Sequence, residues 1–157
     1  MVCIQKVTLK DKAKLANMMQ AYLAELAVFY GAKKNIAGEY EYQHFDAYWY
    51  DLERHPFFIV EEETIIGFCL VNAQTILRPG KSIAEFYLEP QFRRTGLALQ
   101  AAFLILKQFP GPWEIHYRAK NAVAQKFWRK VATHFPSAQE THVPENNGNE
   151  EVISLVS

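Results

Sequence analysis

The fold of this chain is decided by residues 82–106, which read SIAEFYLEPQFRRTGLALQAAFLIL. Residues 83–88 carry two aromatic side chains and a β-branched one, a composition that predicts a strand ending before Pro90. Residues 97–106 contain a single polar side chain, and their Ala and Leu content predicts a buried helix. A tight polar turn at residues 93–96 joins the two. We therefore expect a strand, a glycine-containing turn and a helix start in direct succession.

This succession predicts a site for a phosphate group. The first N–H groups of a helix have no acceptor inside the helix, and they point at whatever lies beyond its N-terminus. Gly96 removes a side chain where the backbone must approach a ligand, and Ala98 keeps the next turn small. Arg93 and Arg94 add positive charge beside these groups.

The same residues resemble the acetyl-CoA motif of the GNAT N-acetyltransferase superfamily. Arg93-x-x-Gly96-x-Ala98, after Phe86-Tyr87-Leu88-x-Pro90, is similar to the family pattern Gln/Arg-x-x-Gly-x-Gly/Ala that follows a strand. A second block, Asn121-x-x-Ala124-x-x-Phe127-Trp128, follows a predicted strand at residues 113–117 and resembles the pattern Asn-x-x-Ala-x-x-Phe/Leu-Tyr on the family's next helix. The similarity covers roughly residues 57–131 well and the N-terminal third in outline.

The resemblance implies that acetyl-CoA is the co-substrate and that no metal is needed. A backbone N–H of the central strand, at the position of Leu88, serves in the family near the reactive end, where negative charge develops on the thioester carbonyl. The cofactor-binding residues predicted from the two motifs are Phe86, Tyr87, Leu88, Arg93, Arg94, Thr95, Gly96, Leu97, Ala98, Asn121, Phe127 and Trp128.

The reaction implied by the resemblance is direct attack of an amine on the thioester in a ternary complex. The amine arrives as ammonium, so a base must take its proton, often through water. The resemblance places Glu85 on the central strand near the acyl end, which makes it the first candidate. The alternatives are that Glu85 pairs with a lysine or faces away from the cofactor. His116, on the neighbouring strand, is the second candidate, although a lone histidine in a strand is more often structural.

One departure from the family pattern leaves two functions open. Trp128 stands where the family usually has a tyrosine that protonates the leaving thiolate, and an indole N–H does not deliver a proton at neutral pH. Either Tyr117 or water replaces it, or the thiolate leaves unaided, since a thiol of this kind has a pKa of roughly 8 to 9. Trp128 itself is expected to pack against the pantetheine arm. The first hypothesis is an N-acetyltransferase acting on a primary amine of a small or amino-acid-like acceptor. The second is a catalytically silent acyl-CoA-binding or regulatory module.

Residues 35–55 alternate aromatic and acidic side chains. In the family fold this region forms one wall of the acceptor site, and aromatic rings with carboxylates suit a cationic amine. The alternative is that the rings cover the sheet while the acids face solvent. Five basic residues without an intervening acid either steer the phosphates of CoA or form a solvated helix face; they are Arg118, Lys120, Lys126, Arg129 and Lys130.

The remaining pattern predicts an α/β (α+β) fold: a mixed, mostly antiparallel sheet of six to seven strands with helices on both faces. A helix from Asp11 to a stop at Gly31 carries an apolar face, and a short helix is expected at residues 46–52. Asn147-Gly148 is typical of a hairpin turn. The other predicted elements are strands at 3–7, 57–61, 64–71, 139–143 and 152–156 and a helix at 122–132.

Composition excludes several classes of protein. The 157 residues predict one domain, 1–157, and 17 basic residues balance 17 acidic ones, so we expect no nucleic-acid or membrane partner. Two cysteines make no disulfide or zinc pattern, and Cys69 lies in an apolar run. We find neither a secretory signal nor a P-loop or dinucleotide motif, and a cytoplasmic location is expected. The sequence leaves open whether the chain forms a homodimer.

Overall fold

The computed structural model describes residues 1–145 and 148–157 of the chain. The described residues form seven strands: β1 Val2–Lys6, β2 His55–Glu61, β3 Thr64–Asn72, β4 Lys81–Leu88, β5 Pro112–Arg118, β6 Gln139–Glu145 and β7 Gly148–Val156. They form three α-helices: α1 Lys12–Tyr30, α2 Leu97–Gln108 and α3 Ala122–Ala132. Short 3₁₀ turns occur at Leu9–Asp11, Asp46–Trp49 and Pro90–Phe92. None of the helices in the described part of the chain is long and apolar enough to cross a membrane.

All seven described strands join one sheet in the order β1-β2-β3-β4-β5-β7-β6. Every neighbouring pair is antiparallel except β4 and β5, which run parallel. The parallel pair is connected by the crossover helix α2, as parallel strands require. The predicted mixed, mostly antiparallel sheet is therefore confirmed.

The helices cover both faces of the sheet because the central strands are apolar on both sides. On β3, Phe68 and Leu70 pack with Leu15 and Met19 of α1, and all four are at most 2% exposed. The side chains of β3 that alternate with Phe68 and Leu70 point to the opposite face of the sheet, where α2 and α3 pack. That second cluster includes Cys69, Val71, Ala102, Ile105, Leu106, Trp113, Trp128 and Val131. The buried thiol expected at Cys69 is confirmed.

Most element boundaries follow the sequence signals. Gly31 ends α1 in the left-handed conformation (φ 68°) and donates its N–H to Ala27 O at 2.8 Å. The helix expected at residues 46–52 is instead the 3₁₀ turn Asp46–Trp49. It stops early because Asp51 Oδ1 accepts the Glu53 N–H at 2.9 Å, a local turn that competes with helix extension.

The C-terminal hairpin pairs as predicted from the sequence. β6 and β7 run antiparallel from Gln139–Ser154 to Glu145–Gly148. Of the predicted turn, Asn146 and Asn147 lie outside the described residues.

Candidate active site

Strands β4 and β5 separate and leave a wedge between them. They pair at three positions, from Lys81 opposite Trp113 to Ile83 opposite Ile115. Beyond this point the described residues 85–88 of β4 pair with β3 alone, and residues 116–118 of β5 pair with β7 alone. We call the gap between these two segments the wedge. A bulge contributes to the divergence, since the β3 register passes from Glu85 to Ile83 and skips Ala84.

The backbone of β4 directs polar groups into the wedge. Glu89 N–H donates to Ile66 O at 2.8 Å, so this pair is hydrogen-bonded. Hydrogen-bonded and non-hydrogen-bonded pairs alternate along an antiparallel ladder, so the N–H and C=O groups of Leu88 and Phe86 point away from β3. The N–H of Leu88 therefore points to the side where an acyl group in the wedge would lie.

Gly67 makes the close approach of β3 to the end of β4 feasible. A Cβ atom built on Gly67 would lie 2.1 Å from Tyr87 O, closer than any real contact. The sequence pattern did not single out Gly67, although a glycine inside an apolar strand is a signal of close backbone approach.

The predicted phosphate cradle has the backbone geometry of a helix N-terminus. Gly96 precedes α2 with φ 85° and ψ −9°, and no atom lies within 4 Å of the position its Cβ would take. Thr95 Oγ1 donates to Phe92 O at 2.6 Å and fixes the turn. Arg94 has a positive φ of 62°. The N–H groups of the first turn of α2 lie at the positive end of the helix dipole, where that of Leu97 donates a long hydrogen bond of 3.4 Å to Thr95 Oγ1.

Arg93 contacts both the end of β4 and helix α1. Its Nε donates to Leu88 O at 2.8 Å, and its Nη2 contacts both carboxylate oxygens of Glu25 at 2.8 and 3.0 Å. The guanidinium also lies 5.5 Å from the ring centre of Tyr87. Arg93 therefore links the end of β4 to α1, and its role in binding a phosphate stays a prediction.

Three aromatic side chains from the two predicted motifs pack together on the α2 and α3 face. Phe86 stacks on Phe127 at 5.5 Å and meets Trp128 edge-on at 5.3 Å. Trp128 is 6% exposed, so its indole belongs largely to the core. Asn121 Oδ1 accepts the Ala124 N–H at 3.1 Å, which makes Asn121 the N-cap of α3.

Glu85 lies on the opposite face, toward α1. The Tyr22 hydroxyl donates a hydrogen bond to Glu85 Oε2. Burial raises the pKa of Glu85 to about 7, while hydrogen bonds from Tyr22 and Tyr42 oppose this rise. The expected alternative of a lysine partner does not occur, since within residues 1–145 and 148–157 no salt bridge involves Glu85. A carboxyl group with this pKa accepts protons efficiently near neutral pH.

His116, the second base candidate, is placed between two carboxylates. Its Nε2 lies 3.0 Å from Glu114 Oε1 and its Nδ1 lies 3.6 Å from Glu150 Oε1. Glu114 is buried, which raises its pKa, but backbone N–H groups of residues 76–78 bind the carboxylate and leave the pKa below its usual range. These contacts give His116 a structural setting.

Tyr117, the candidate proton donor, has its hydroxyl directed away from the wedge. It donates to Glu140 on β6, and Glu140 also accepts from Arg129 Nε at 3.1 Å. Burial and the Glu140 hydrogen bond raise the pKa of Tyr117 to about 12. Tyr117 therefore gives up a proton less readily than a thiol does.

Three of the five basic residues between positions 118 and 130 lie in two different environments. Arg118 and Lys120 lie over the ring of Tyr30 at 4.6 and 5.3 Å, whereas Arg129 pairs with Glu140. Tyr30 also lines a cavity of about 360 Å³ between α1 and the segment that follows it. A larger cavity, of about 980 Å³, lies at the opposite end of β4, against residues 73–81 and 108–112.

Tyr22, like Gly67, is a residue of the candidate site that the sequence pattern did not reveal. It belongs to the apolar stripe of α1, where it was expected to pack as part of the core. A tyrosine in such a stripe needs a partner for its hydroxyl, and this is the signal that points to a polar group beneath the helix.

Comparison with known proteins agrees with this geometry. A family model described as the acetyltransferase (GNAT) family matches residues 18–132. Among curated proteins, none matches the chain.

Several solved structures share the fold at low sequence identity. An aminoglycoside acetyltransferase, AAC(6')-Ib, in complex with coenzyme A is 13% identical, with a TM-score of 0.73 over 99% of this chain and 95% of that one. A ribosomal-protein alanine N-acetyltransferase from Escherichia coli is 14% identical, with a TM-score of 0.65 over 99% and 94%. NAA60 of Arabidopsis thaliana in complex with acetyl-CoA is 12% identical, with a TM-score of 0.65 over 100% of both chains.

Proposed function

We propose that this chain, which belongs to the acetyltransferase (GNAT) family of acetyl-CoA-dependent acyltransferases, transfers the acetyl group to a primary amine of a small or amino-acid-like acceptor. The observation that carries the proposal is Glu85, a half-buried carboxyl group with a pKa of about 7 on the strand that borders the wedge. We take residues 1–157 as one acyltransferase domain. A cytoplasmic location remains a prediction from the sequence.

Acetyl-CoA is assigned to the wedge and to the N-terminus of α2. The N–H groups of the first turn of α2 suit the pyrophosphate, because they have no acceptor inside the helix and lie at the positive end of its dipole. The N–H groups of Phe86 and Leu88 and the C=O of Phe86, which point away from β3, suit the amide groups of the pantetheine arm, which would continue the sheet across the gap. The N–H of Leu88 would stabilise the negative charge that develops on the thioester oxygen.

Glu85 acts as the base in this reaction. The acceptor arrives as an ammonium ion, and one N–H bond breaks as the proton passes to a Glu85 oxygen, directly or through one water. The electron pair left on nitrogen attacks the thioester carbon and forms the new N–C bond. The nitrogen, which is cationic after the attack, then loses its second surplus proton to water, and the C–S bond breaks to release the thiolate. Deprotonation by a positioned base of matching pKa contributes roughly 10²- to 10⁴-fold to the rate.

The leaving thiolate needs no protein acid. Trp128 does not donate a proton, and the hydroxyl of Tyr117 is engaged by Glu140. A thiolate whose conjugate acid has a pKa of roughly 8 to 9 is stable enough to depart and take its proton from water. The replacement of the family tyrosine by Trp128 is therefore compatible with turnover.

The acceptor side of Glu85 favours a cation. Tyr22, Tyr42 and Tyr87 surround this face of β4, and tyrosine rings next to a carboxylate attract an ammonium group. Two of the similar structures support a primary amine, since one is an aminoglycoside acetyltransferase, solved also with kanamycin, and the other an alanine N-acetyltransferase. The acceptors of these two enzymes differ in size, so the comparison does not distinguish a small-molecule acceptor from a peptide-like one. The small or amino-acid-like acceptor is our own proposal.

The second candidate function is a silent acyl-CoA-binding module, favoured by Trp128 at the tyrosine position. Release of free thiol from acetyl-CoA, measured with a panel of amines that includes diamines, amino acids and short peptides, separates the two. Amine-dependent release supports the enzyme. Calorimetric binding of CoA without release by any amine would support the silent module, and no binding at all would contradict both.

A further inference from the structure

Glu85 is held by a tyrosine that has little freedom of its own. Tyr22 donates to Glu85 across a sequence separation of 63 residues. The Tyr22 ring makes edge contacts with Phe68 at 5.5 Å and with Tyr87 at 5.7 Å. A ring packed on two sides can present its hydroxyl in only a narrow range of positions, so the carboxyl group is held where the ring dictates.

A second tyrosine approaches the same carboxyl group from the segment after α1. Tyr42, like Tyr22, lowers the pKa of Glu85 against the effect of burial. The ring of Tyr42 packs in the same cluster as Tyr48, which is 2% exposed and comes from the 3₁₀ turn. Two separate elements thus converge on one side chain of β4.

The other titratable groups near Glu85 are either uncharged or, in the case of Arg54, paired with another residue. Tyr48 and the Cys69 thiol of β3 interact with its charge, and burial raises the pKa of both. The guanidinium of Arg54 lies over the Tyr48 ring at 5.5 Å and pairs with Asp51. In the described part of the chain, no cation is paired with Glu85. Its surroundings therefore consist of neutral donors.

We propose that Tyr22 is a positioning residue that clamps Glu85 in the orientation in which it takes the proton from the acceptor amine. The proposal rests on the proposed function, because it takes Glu85 as the base. Tyr22 acts through Glu85 and need not touch the acceptor to do so.

The choice of tyrosine as the clamping residue has a chemical reason. A neutral O–H group orients a carboxylate but stabilises its charge only moderately, whereas an adjacent Lys or Arg would lower the carboxyl pKa strongly and weaken the base. Burial raises the pKa of the Tyr22 hydroxyl well above its usual value, so Tyr22 remains a protonated donor throughout the working pH range.

The test is Tyr22→Phe, which removes the hydroxyl and keeps the ring in its packed position. With ¹³C-labelled glutamate, NMR titration follows the Glu85 carboxyl directly, the signal being assigned by its loss in Glu85→Gln. Because the variant lacks a hydrogen-bond donor to the charged form of Glu85, the midpoint of this titration should move upward by about one pH unit. The acidic limb of kcat/KM should move by the same amount, while KM for acetyl-CoA stays constant. Tyr50→Phe, at a tyrosine that is 77% exposed, is the matched control and should move neither.

A double variant shows whether Tyr22 acts through Glu85. In the Glu85→Gln background, Tyr22→Phe should cause no further loss of rate, and an equal loss in both backgrounds would overturn the clamp. An unchanged Glu85 titration in Tyr22→Phe would also overturn it, whatever the activity. If the titration shifts but the parent releases no thiol with any amine, the contact exists without a catalytic use, and the proposed function has failed.

Discussion

Replacing Glu85 with glutamine gives the most direct test of the candidate site, because one change alters both stability and rate. The folded protein raises the pKa of this carboxyl from 4.5 to about 7, with burial as the main cause. The native state therefore binds a proton more tightly than the unfolded chain does. The contribution of Glu85 to stability is greatest below about pH 4.5 and is lost as the pH rises toward 7.

The size of this effect follows from the two pKa values. A difference of about 2.5 pH units at roughly 1.4 kcal/mol each amounts to about 3.5 kcal/mol, of which roughly 2 to 3 kcal/mol is lost between pH 5 and pH 8. Glutamine keeps the shape and can still accept from Tyr22, but it never becomes charged. Glu85→Gln should thus gain stability relative to the parent as the pH is raised from 5 to 8, and urea denaturation at the two pH values measures the gain.

The activity of the parent should depend on pH in the opposite sense to the stability contribution of Glu85, because activity rises as the pH is raised. The parent should lose roughly tenfold in kcat/KM for each pH unit below 7, because only the ionised carboxyl accepts a proton. Glu85→Gln should be slower by roughly 10²- to 10⁴-fold and should lack this acidic limb, with an unchanged affinity for acetyl-CoA.

The two readouts separate burial from catalysis. Glu63→Gln, at the exposed β2–β3 turn, is the control and should match the parent in both. Equal turnover of Glu85→Gln and the parent across pH 6 to 9 would refute Glu85 as the base and make His116 the next residue to test. A pH-independent stability difference would refute the raised pKa itself.

Three further changes test the cofactor side. Gly96→Glu and Gly96→Gln carry the same backbone cost at φ 85°, but only the carboxylate of Glu repels a pyrophosphate. The affinity for CoA, measured by calorimetry, should be roughly 10²-fold lower for Gly96→Glu than for Gly96→Gln. Equal affinities would contradict the placement of the pyrophosphate at the N-terminus of α2. Arg93→Ala should destabilise the protein by roughly 1 to 3 kcal/mol in urea denaturation. The loss should exceed that of Glu25→Gln, because Arg93→Ala also removes the hydrogen bond to the carbonyl of Leu88. Unchanged stability together with weaker CoA binding would indicate that Arg93 binds the phosphate instead. Trp128→Tyr should leave the maximal rate of an active parent within a few-fold, whereas thiol release that appears only in Trp128→Tyr would identify the parent as the silent module.

The sequence by itself determined the order and type of most elements, including the turn and helix start on which the proposed phosphate site is placed. These features depend on residues close together in the chain. Gly96 permits the turn that starts α2, Asn121 caps α3 through a contact three residues away, and Gly31 ends α1. Each is a local preference of the backbone, so it can be read without knowing the fold.

Only the tertiary structure decided what the polar side chains do. The sequence places Arg93 beside the predicted phosphate site, and only the fold brings Glu25 to its guanidinium from 68 residues away. Glu85 was one of two candidate bases, and its pKa depends on burial beneath α1 and on Tyr22, 63 residues distant. Desolvation and long-range hydrogen bonds arise from packing between elements, and no local pattern encodes them. The wedge has the same origin, because it exists only where β4 and β5 stop pairing.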